Sequence, residues 1–301
     1  MAVLLGVDAG ASRTRAVVAD GSGRELARGE GGPGAMRVVG AATSAAAIQS
    51  ACREALQRAR LEAPVDVLVV GAAGAGREPE RTELEQALAA LTLAGRLVVT
   101  SDAEIALAAA FGEAPGIVLL AGTGSVAWAR LPDGSRARAG GLGSLLGDQG
   151  SGYDLALSGL RSAALAAQGF GNATALTQKL FGQIGADVER LPQWAAQASA
   201  ADVAALAPHV LDAAQAGDAV ARKIVEAGAD FLARHARALA HRFNKGGKVA
   251  VAFGGGLLQY RNDYRQLVAG RVALLAPNTE PRMEPLDALK GAIAIGQAQT
   301  T

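Results

Sequence analysis

Two glycine-containing turns between apolar segments could hold phosphate. Val3–Asp20 contains an apolar segment, then Asp-Ala-Gly-Ala-Ser-Arg-Thr, then a second apolar segment, and Ile117–Leu131 repeats this arrangement around Gly-Thr-Gly-Ser. Glycine allows backbone N–H groups to approach a ligand closely, and serine and threonine hydroxyls add donors, so both turns suit phosphate oxygens. Either turn alone could be an ordinary hairpin loop. Because both stand at equivalent places in two halves of the chain, together they favour one polyphosphate held from two sides.

Three carboxylates lie beside the ends of predicted strands or helices. Asp8 ends the first strand, where it could bind Mg²⁺ or its waters or could cap the turn. Asp102 joins a predicted strand to a helix; it could take a proton from an attacking hydroxyl, or it or Ser101 could be the helix N-cap. Asp148 and Ser151 stand at another junction between a loop and a helix, where they could recognise substrate hydroxyls or cap the helix.

A third glycine run follows a strand near the C-terminus, in Ala-Phe-Gly-Gly-Gly-Leu-Leu at 252–258. It could be a tight turn into a helix or a flat backbone surface for a nucleobase or ribose. The chain has no Gly-x-x-x-x-Gly-Lys-Ser/Thr sequence and no Gly-x-Gly-x-x-Gly that leads from a strand into a helix. These absences argue against a P-loop and against a Rossmann dinucleotide site.

Hydrophobic periodicity predicts the elements that position these groups in the first half of the chain. A hairpin and a third short strand come first, and two helix–strand steps follow. Such an order predicts a mixed sheet flanked by helices. The strands are predicted at Val3–Leu5, Arg15–Asp20, Val65–Gly76 and Arg96–Asp102, and the helices at Thr43–Ala59, Glu80–Leu91 and Ala103–Phe111.

The pattern restarts at Ile117 with another hairpin, so the chain reads as a diverged internal duplication. The boundary is predicted near 112–116, where Gly-Glu-Ala-Pro-Gly is typical of a turn. The second half is predicted to contain a helix at Tyr153–Ala167, mostly helical sequence at Asn172–Phe243, strands at Lys248–Leu258 and Val272–Pro277, and a closing helix at Leu286–Gln297.

Composition indicates a compact cytoplasmic protein. The 301 residues are half hydrophobic, and 29 basic against 28 acidic residues give a net charge of +1, which argues against a general nucleic-acid or membrane-surface binder. The N-terminus does not have the pattern of a signal peptide, and no apolar segment is long enough to span a bilayer. One cysteine, Cys52, excludes an internal disulfide and is expected to be a buried structural thiol in a helix.

With these motifs in order, the sequence resembles the N-acetylglucosamine kinase family, which is grouped with the BadF/BadG/BcrA/BcrD-type ATPases in the superfamily of actin, heat-shock chaperones and sugar kinases. Five segments carry the resemblance: GVDAGASRTRAVVAD, SDAEIALAAA, AGTGSVAW, GGLGSLLGDQGSGY and VAFGGGLL. The resemblance implies two ribonuclease H-like domains, each a mixed five-stranded sheet flanked by helices, with a cleft between them. Their expected bounds are 1–112, completed by a C-terminal helix at 286–301, and 113–285 with a helical insertion.

The resemblance also implies an activity: an ATP- and Mg²⁺-dependent kinase that phosphorylates an amino sugar, working as a homodimer with no nucleic-acid or membrane partner. Asp102 would be the base that deprotonates the sugar 6-hydroxyl, and Asp8 would hold Mg²⁺ through water. The expected nucleotide-binding residues are Asp8, Gly10, Ser12, Thr14, Gly122, Thr123, Gly124, Ser125, Gly254 and Gly255. The expected sugar-binding residues are Asp102, Gly141, Leu142, Gly143 and Asp148.

Some positions depart from the family pattern. The usual glycines after the first aspartate are Ala9 and Ala11, and the usual threonine is Ser12. Two asparagines that contact the sugar in the family are replaced by Met36, which follows Ala35, and by Val126. N-acetylglucosamine, glucosamine and other hexosamines are therefore all candidate substrates. An iron–sulfur activator ATPase and a non-catalytic sensor of sugar or nucleotide share the expected fold and are competing hypotheses.

Overall fold

In the computed structural model, which describes residues 2–243 and 247–300, ten strands form two five-stranded sheets. The chain divides into two compact units: Met1–Ala114 with Leu286–Thr301, and Pro115–Pro285. The terminal residues Met1 and Thr301, where the expected first domain begins and ends, lie outside the described residues.

The first unit begins with a three-stranded meander followed by parallel strands. Its elements are β1 (Val3–Ala9), β2 (Thr14–Asp20), β3 (Glu25–Gly31), α1 (Met36–Ala59), β4 (Val65–Ala72), α2 (Glu78–Ala89), β5 (Ala94–Ser101) and α3 (Asp102–Phe111). The strand order is β3-β2-β1-β4-β5, with β1, β4 and β5 parallel. The carboxyl ends of these three strands therefore meet at one edge of the sheet.

The second unit repeats this topology and adds helices. Its elements are β6 (Gly116–Ala121), β7 (Ser125–Arg130), β8 (Arg136–Gly140), α4 (Gly152–Ala167), α5 (Leu176–Ile184), α6 (Leu191–Gln197), α7 (Ala200–Ala204), α8 (Ala207–Gln215), α9 (Ala219–Ala240), β9 (Val249–Gly254), α10 (Gly255–Tyr260), α11 (Asn262–Leu275) and β10 (Thr279–Arg282). The strand order β10-β9-β6-β7-β8 corresponds, strand for strand, to that of the first sheet. The predicted duplication of a sheet-plus-helices unit is confirmed.

The last helix, α12 (Ala288–Gln297), belongs to the first unit. It packs with α3 on one face of the first sheet, in a core that contains Ile105, Leu289 and Ile293. The opposite face packs against α1 and α2. Because both faces are covered, β4 reads as a nearly continuous apolar strand, Val-Asp-Val-Leu-Val-Val-Gly-Ala.

The strand predicted at Val272–Pro277 is wrong. Val272 lies in α11, which continues to Leu275, and the last strand of the sheet is β10 at Thr279–Arg282. Tyr264, Val268 and Val272 are all buried at a spacing of four residues, which is the period of a helix. A short apolar run does not by itself distinguish a strand from a helix. Here the segment is a helix because it packs against α9.

Several predicted boundaries also move. The first helix begins at Met36 rather than near Thr43, with a kink at Gly40, where φ is 75°. The strand predicted at Val65–Gly76 ends at Ala72, and the strand predicted at Lys248–Leu258 ends at Gly254, where a short helix begins.

Cys52 lies in α1 and is fully buried, as expected, and burial raises the pKa of its thiol to about 12. Within the described part of the chain, no helix combines the length and apolar character needed to cross a membrane.

The packing of α12 against α3 depends on Gly291, because a Cβ there would overlap the carbonyl oxygen of Ile105. We expect Gly291→Ala to lower the free energy of unfolding by about 1–3 kcal/mol through overpacking, measured by urea denaturation.

The matched control is Gly270→Ala in α11, where nothing lies within 4 Å of the added methyl group. It should be neutral or should stabilise by up to about 1 kcal/mol, because alanine favours helix. Equal effects of the two substitutions would contradict the close approach of the two helices.

Candidate active site

The first candidate phosphate turn joins β1 to β2. Asp8 lies in β1 opposite Arg15 in β2, and Arg15 Nη2 donates to Asp8 Oδ2 over 2.6 Å. The turn itself closes through the Gly10 N–H, which donates to the Arg13 carbonyl over 3.0 Å. Asp8 therefore forms an ion pair across the hairpin.

Backbone hydrogen bonds fix this turn to two neighbouring loops. The N–H groups of Gly34 and Ala35 donate to the Gly10 carbonyl over 2.9 and 3.0 Å, and the Ala73 N–H donates to the Ala9 carbonyl over 2.9 Å. The loop before α1 and the loop after β4 thus hold the turn in place, so its shape does not depend on a ligand.

The two hydroxyl groups of the turn have different surroundings. Ser12 is exposed at the tip. Thr14 is fully buried, and its hydroxyl donates to the Gly32 carbonyl over 2.9 Å. Met36, the first residue of α1, is also buried and packs in the core of the first unit. Ser12 is thus the expected phosphate contact at the surface, whereas Thr14 and Met36 contribute to packing.

Asp102 stands at the same edge of the sheet, directly after β5. Ser101 is the N-cap of α3, since its hydroxyl accepts from the Glu104 N–H over 3.2 Å. Asp102 Oδ1 accepts from the Ala103 N–H over 3.0 Å. The helix is therefore capped by Ser101, and Asp102, a half-buried residue, is not required for capping.

The surroundings raise the pKa of Asp102 to about 6. Burial disfavours the ionised form, the negative charge of Asp8 adds to this effect, and the hydrogen bond from Ala103 opposes it. A carboxyl group with this pKa is mostly ionised at neutral pH, yet it is a stronger base than an ordinary aspartate. These are the properties of a general base near pH 7.

Asp8 and Asp102 place negative charge at one sheet edge, and this suits a divalent cation. Within 2–243 and 247–300, no cluster of three or more histidine, cysteine, aspartate or glutamate side chains could hold a metal ion. A cation at this edge would therefore need further oxygen ligands from water or a bound phosphate, as Mg²⁺ commonly has.

The second candidate phosphate turn joins β6 to β7. The Gly122 N–H donates to the Gly124 carbonyl over 2.9 Å and closes the turn. The Gly122 carbonyl accepts from the Gly152 N–H over 2.8 Å, and the Thr123 carbonyl accepts from the Tyr153 N–H over 3.2 Å. The turn is thus joined to the N-terminal end of α4.

Ser125 follows this turn but is buried, and its hydroxyl donates to the Gln149 carbonyl over 2.9 Å. Its side chain connects the turn to the loop before α4. Thr123, in contrast, is partly exposed.

The Asp148 carboxylate lies against the same turn. Its backbone is in the left-handed region, with φ 59°, and a Cβ at Gly124 would come within 2.6 Å of Asp148 Oδ2. Burial raises the pKa of Asp148, with a further contribution from Asp154, while backbone N–H groups of Ser125 and Gly143 stabilise its ionised form. The cap of α4 is Ser151, which accepts from the Asp154 N–H over 3.2 Å, so Asp148 is not the capping residue.

The predicted sugar loop is held beside Asp148. The Gly141 N–H donates to the Ser125 carbonyl over 3.0 Å, and both Gly141 and Gly143 have positive φ. Val126 packs against Gly141, where a Cβ would lie 2.9 Å from Val126 Cγ2. Leu142 is 60% exposed. Val126 thus gives this loop an apolar wall.

The third glycine run adjoins the second turn. Gly255 has φ 80°, and a Cβ there would overlap the Ala121 backbone, while a Cβ at Gly122 would lie 3.5 Å from the Gly256 nitrogen. Gly254 is buried at the end of β9. The run is a tight turn into α10, and it exposes backbone next to the Gly-Thr-Gly turn.

The structure therefore groups the predicted residues into two sets. Asp8, Gly10, Ser12 and Asp102 share one edge of the first sheet. Gly122–Ser125, Gly141–Gly143, Asp148 and Gly254–Gly255 cluster in the second unit through the contacts described above.

Sequence reasoning missed one charged residue, Arg15, which pairs with Asp8. The register of the hairpin could have revealed it, because counting outward from the turn places Arg15 opposite Asp8 and oppositely charged cross-strand neighbours attract.

A family model described as the BadF/BadG/BcrA/BcrD ATPase family matches residues 5–295. The chain belongs to this family. The family predicted from the motifs is thus confirmed.

Two curated relatives and one solved structure are similar to this chain. N-acetyl-D-glucosamine kinase of Dictyostelium discoideum is 26% identical over 296 residues, 92% of each chain. N-acetylmuramic acid/N-acetylglucosamine kinase of Clostridium acetobutylicum is 38% identical over 96 residues; this match covers 32% of the present chain and only 31% of that relative. A proposed N-acetylglucosamine kinase from Chromobacterium violaceum is 29% identical, with a TM-score of 0.81 over 97% of this chain and 98% of its own. The expected actin-like architecture of two mixed five-stranded sheets is confirmed.

The raised pKa of Asp102 predicts a pH-dependent effect on stability. Because the folded-state pKa is above the ordinary value of 3.8, the wild-type protein loses stability as pH rises from about 4 to about 6. We expect Asp102→Asn to stabilise the fold by about 1–3 kcal/mol at pH 8, and this gain should vanish at pH 4. Urea denaturation at the two pH values measures it.

Asp133→Asn is a control of opposite sign. The Ser135 hydroxyl donates to Asp133 Oδ1 over 2.6 Å, and this bond lowers the pKa of that exposed carboxyl group. Its substitution should give no gain in stability at pH 8. A gain in stability from Asp102→Asn that is the same at both pH values would contradict the raised pKa of Asp102.

Proposed function

We propose that this protein is an ATP-dependent amino-sugar kinase that transfers the γ-phosphate of ATP to a hydroxyl group of a hexosamine. The observation that carries this proposal is the Asp102 carboxylate, with a pKa raised to about 6, at the sheet edge that also carries Asp8. Membership of the ATPase family and likeness to proteins named N-acetylglucosamine kinases support the substrate class.

In this proposal, the two turns bind the phosphates of ATP through backbone N–H groups and hydroxyls. Ser12 would act from one turn, where Gly10 lets the backbone approach closely while its own N–H closes the turn, and Thr123 and Gly124 would act from the other. The flat backbone at Gly254 and Gly255 would lie against adenosine. Because these turns are held by their own hydrogen bonds, little reorganisation is needed on binding.

Asp102 would accept the proton from the attacking hydroxyl, which we propose is the 6-hydroxyl of N-acetylglucosamine or glucosamine. Phosphoryl transfer otherwise requires alignment and charge neutralisation more than covalent chemistry from the protein. Asp102 is suited to this single proton transfer because capping of α3 is left to Ser101.

Asp8 would hold Mg²⁺ through water, and the cation would offset the charge of the transferring phosphoryl group when bound. The pairing of Asp8 with Arg15 orients its carboxylate at the edge of the sheet. Such a cation would also offset the negative charge of Asp8, which adds to the effect of burial in raising the pKa of Asp102.

Gly141, Leu142, Gly143 and Asp148 would line the sugar pocket, with the Asp148 carboxylate accepting from sugar hydroxyls. Val126 offers methyl groups where the family has an amide, so recognition of an N-acetyl group through that position would be lost. This favours glucosamine or another hexosamine as a competitor of N-acetylglucosamine.

Cys52 distinguishes this proposal from an iron–sulfur activator ATPase. It is the chain's one cysteine and is fully buried in α1. A cluster requires accessible thiolates, so Cys52 does not suit this role.

We also propose that the kinase is cytoplasmic and homodimeric. Light scattering on the purified chain tests whether it is a dimer.

The first test is the release of ADP from Mg·ATP in a coupled assay, with glucosamine, N-acetylglucosamine, N-acetylmannosamine, glucose or no sugar. We expect at least tenfold stimulation by one hexosamine over the sugar-free rate. Sugar-independent hydrolysis, or no turnover with any sugar, would contradict the kinase proposal.

The base role of Asp102 predicts the pH profile of the same assay. Since a protonated carboxyl group cannot accept the proton, kcat/KM for the sugar should fall about tenfold per pH unit below about 6. Asp102→Asn should reduce transfer by about a thousandfold or more while sugar binding, measured calorimetrically, is kept.

Asp133→Asn should keep both the rate and the profile. Transfer by Asp102→Asn at near the wild-type rate would show that another group is the base.

A further inference from the structure

A groove with both polar and apolar lining runs between α4 and α9 in the second unit. It has a volume of about 300 Å³ and is lined by polar groups of Gln149, Asp154, Ser158 and Lys223, by the ring of Phe231, and by small or aliphatic residues of α9. This volume is at the lower end of the range for small-molecule sites.

The lining offers the groups that a sugar ring needs. A carboxylate accepts, an ammonium donates, and an amide and a hydroxyl do both. One negative and one positive charge balance, so the groove suits a neutral ligand with many hydroxyls. Phe231 is 40% exposed and provides an apolar surface for the C–H face of such a ring.

Contacts beneath the groove hold its walls in place. Asp154 Oδ2 accepts from the Gly150 N–H over 2.8 Å, and a Cβ at Gly228 would lie 2.8 Å from both Leu155 Cδ2 and the Tyr264 hydroxyl. The Arg234 guanidinium lies 5.0 Å from the Phe231 ring centroid, which restricts the ring. The groove is therefore formed without a ligand, which lowers the entropic cost of binding.

The groove also adjoins the proposed sugar pocket. Gln149 follows Asp148 in sequence, and the charge of Asp154 acts on the Asp148 carboxylate. A ligand in the groove would thus lie close to the loop that is proposed to hold the phosphorylated sugar.

We propose that the groove between α4 and α9 binds a second pyranose ring, distinct from the ring that is phosphorylated. We take this ring to be an amino sugar, which rests on the proposed function. The ring could be supplied in two ways: as the second ring of a disaccharide whose first ring is the acceptor, or as a second free monosaccharide.

The test is calorimetric titration of the full chain, without ATP, by N-acetylglucosamine and by N,N′-diacetylchitobiose. If the ring is linked, the disaccharide binds more tightly than the monosaccharide, and Phe231→Ala weakens the disaccharide about tenfold without affecting the monosaccharide. If the ring is free, two equivalents of the monosaccharide bind to the wild-type chain, and Phe231→Ala removes one. Either result supports the groove.

Phe170→Ala is the matched control, because Phe170 is an aromatic residue of the same unit that is 79% exposed and does not line the groove. It should leave all affinities unchanged, and thermal unfolding checks that both variants fold. Binding that is the same in wild type and Phe231→Ala, equal losses in both variants, or no saccharide binding would overturn the proposal.

These titrations involve no phosphoryl transfer, so they separate the two proposals. Saccharide binding that depends on Phe231, in a protein that phosphorylates none of the sugars tested, would support the groove and contradict the kinase.

Discussion

Burial of Asp102 beside the charge of Asp8, at one edge of the first sheet, is the constraint on which the candidate chemistry depends. Parallel pairing of β1, β4 and β5 brings the two strand ends to the same edge. Arg15 pairs with Asp8, whereas among the described residues no salt bridge is found to Asp102. Burial and the charge of Asp8 therefore make Asp102 more basic, and its ionisation costs the fold stability.

The second unit contributes to the candidate site mainly through the shape of its backbone. Gly124 lets Asp148 approach the β6–β7 turn, and Gly255 lets the third glycine run approach Ala121. Ser125 and Ser151 use their hydroxyls to join these loops to α4. The surfaces proposed to bind phosphate, adenosine and sugar are thus held by contacts that any larger residue at these two glycines would disturb.

The sequence allowed the duplicated sheet, the glycine turns and the family to be predicted, because these features are local or repeat along the chain. Val272–Pro277 was mispredicted because the burial of Tyr264, Val268 and Val272 against another helix is a tertiary property. Whether Asp102 and Asp148 cap their helices could be decided only from the structure. The sequence offers two candidate caps at each helix, a serine and an aspartate. The structure shows that the serine hydroxyl accepts the helix N–H group in both cases.

The most direct test is the ¹³C NMR titration of the Asp102 carboxyl carbon, assigned by comparison with Asp102→Asn, in the wild-type chain and in Asp8→Asn. We predict a pKa of about 6 in the wild type and a lower value once the Asp8 charge is removed. A wild-type pKa close to 3.8, the ordinary value for an aspartate, would contradict the proposed chemistry, because Asp102 would then be an ordinary surface carboxylate rather than a general base.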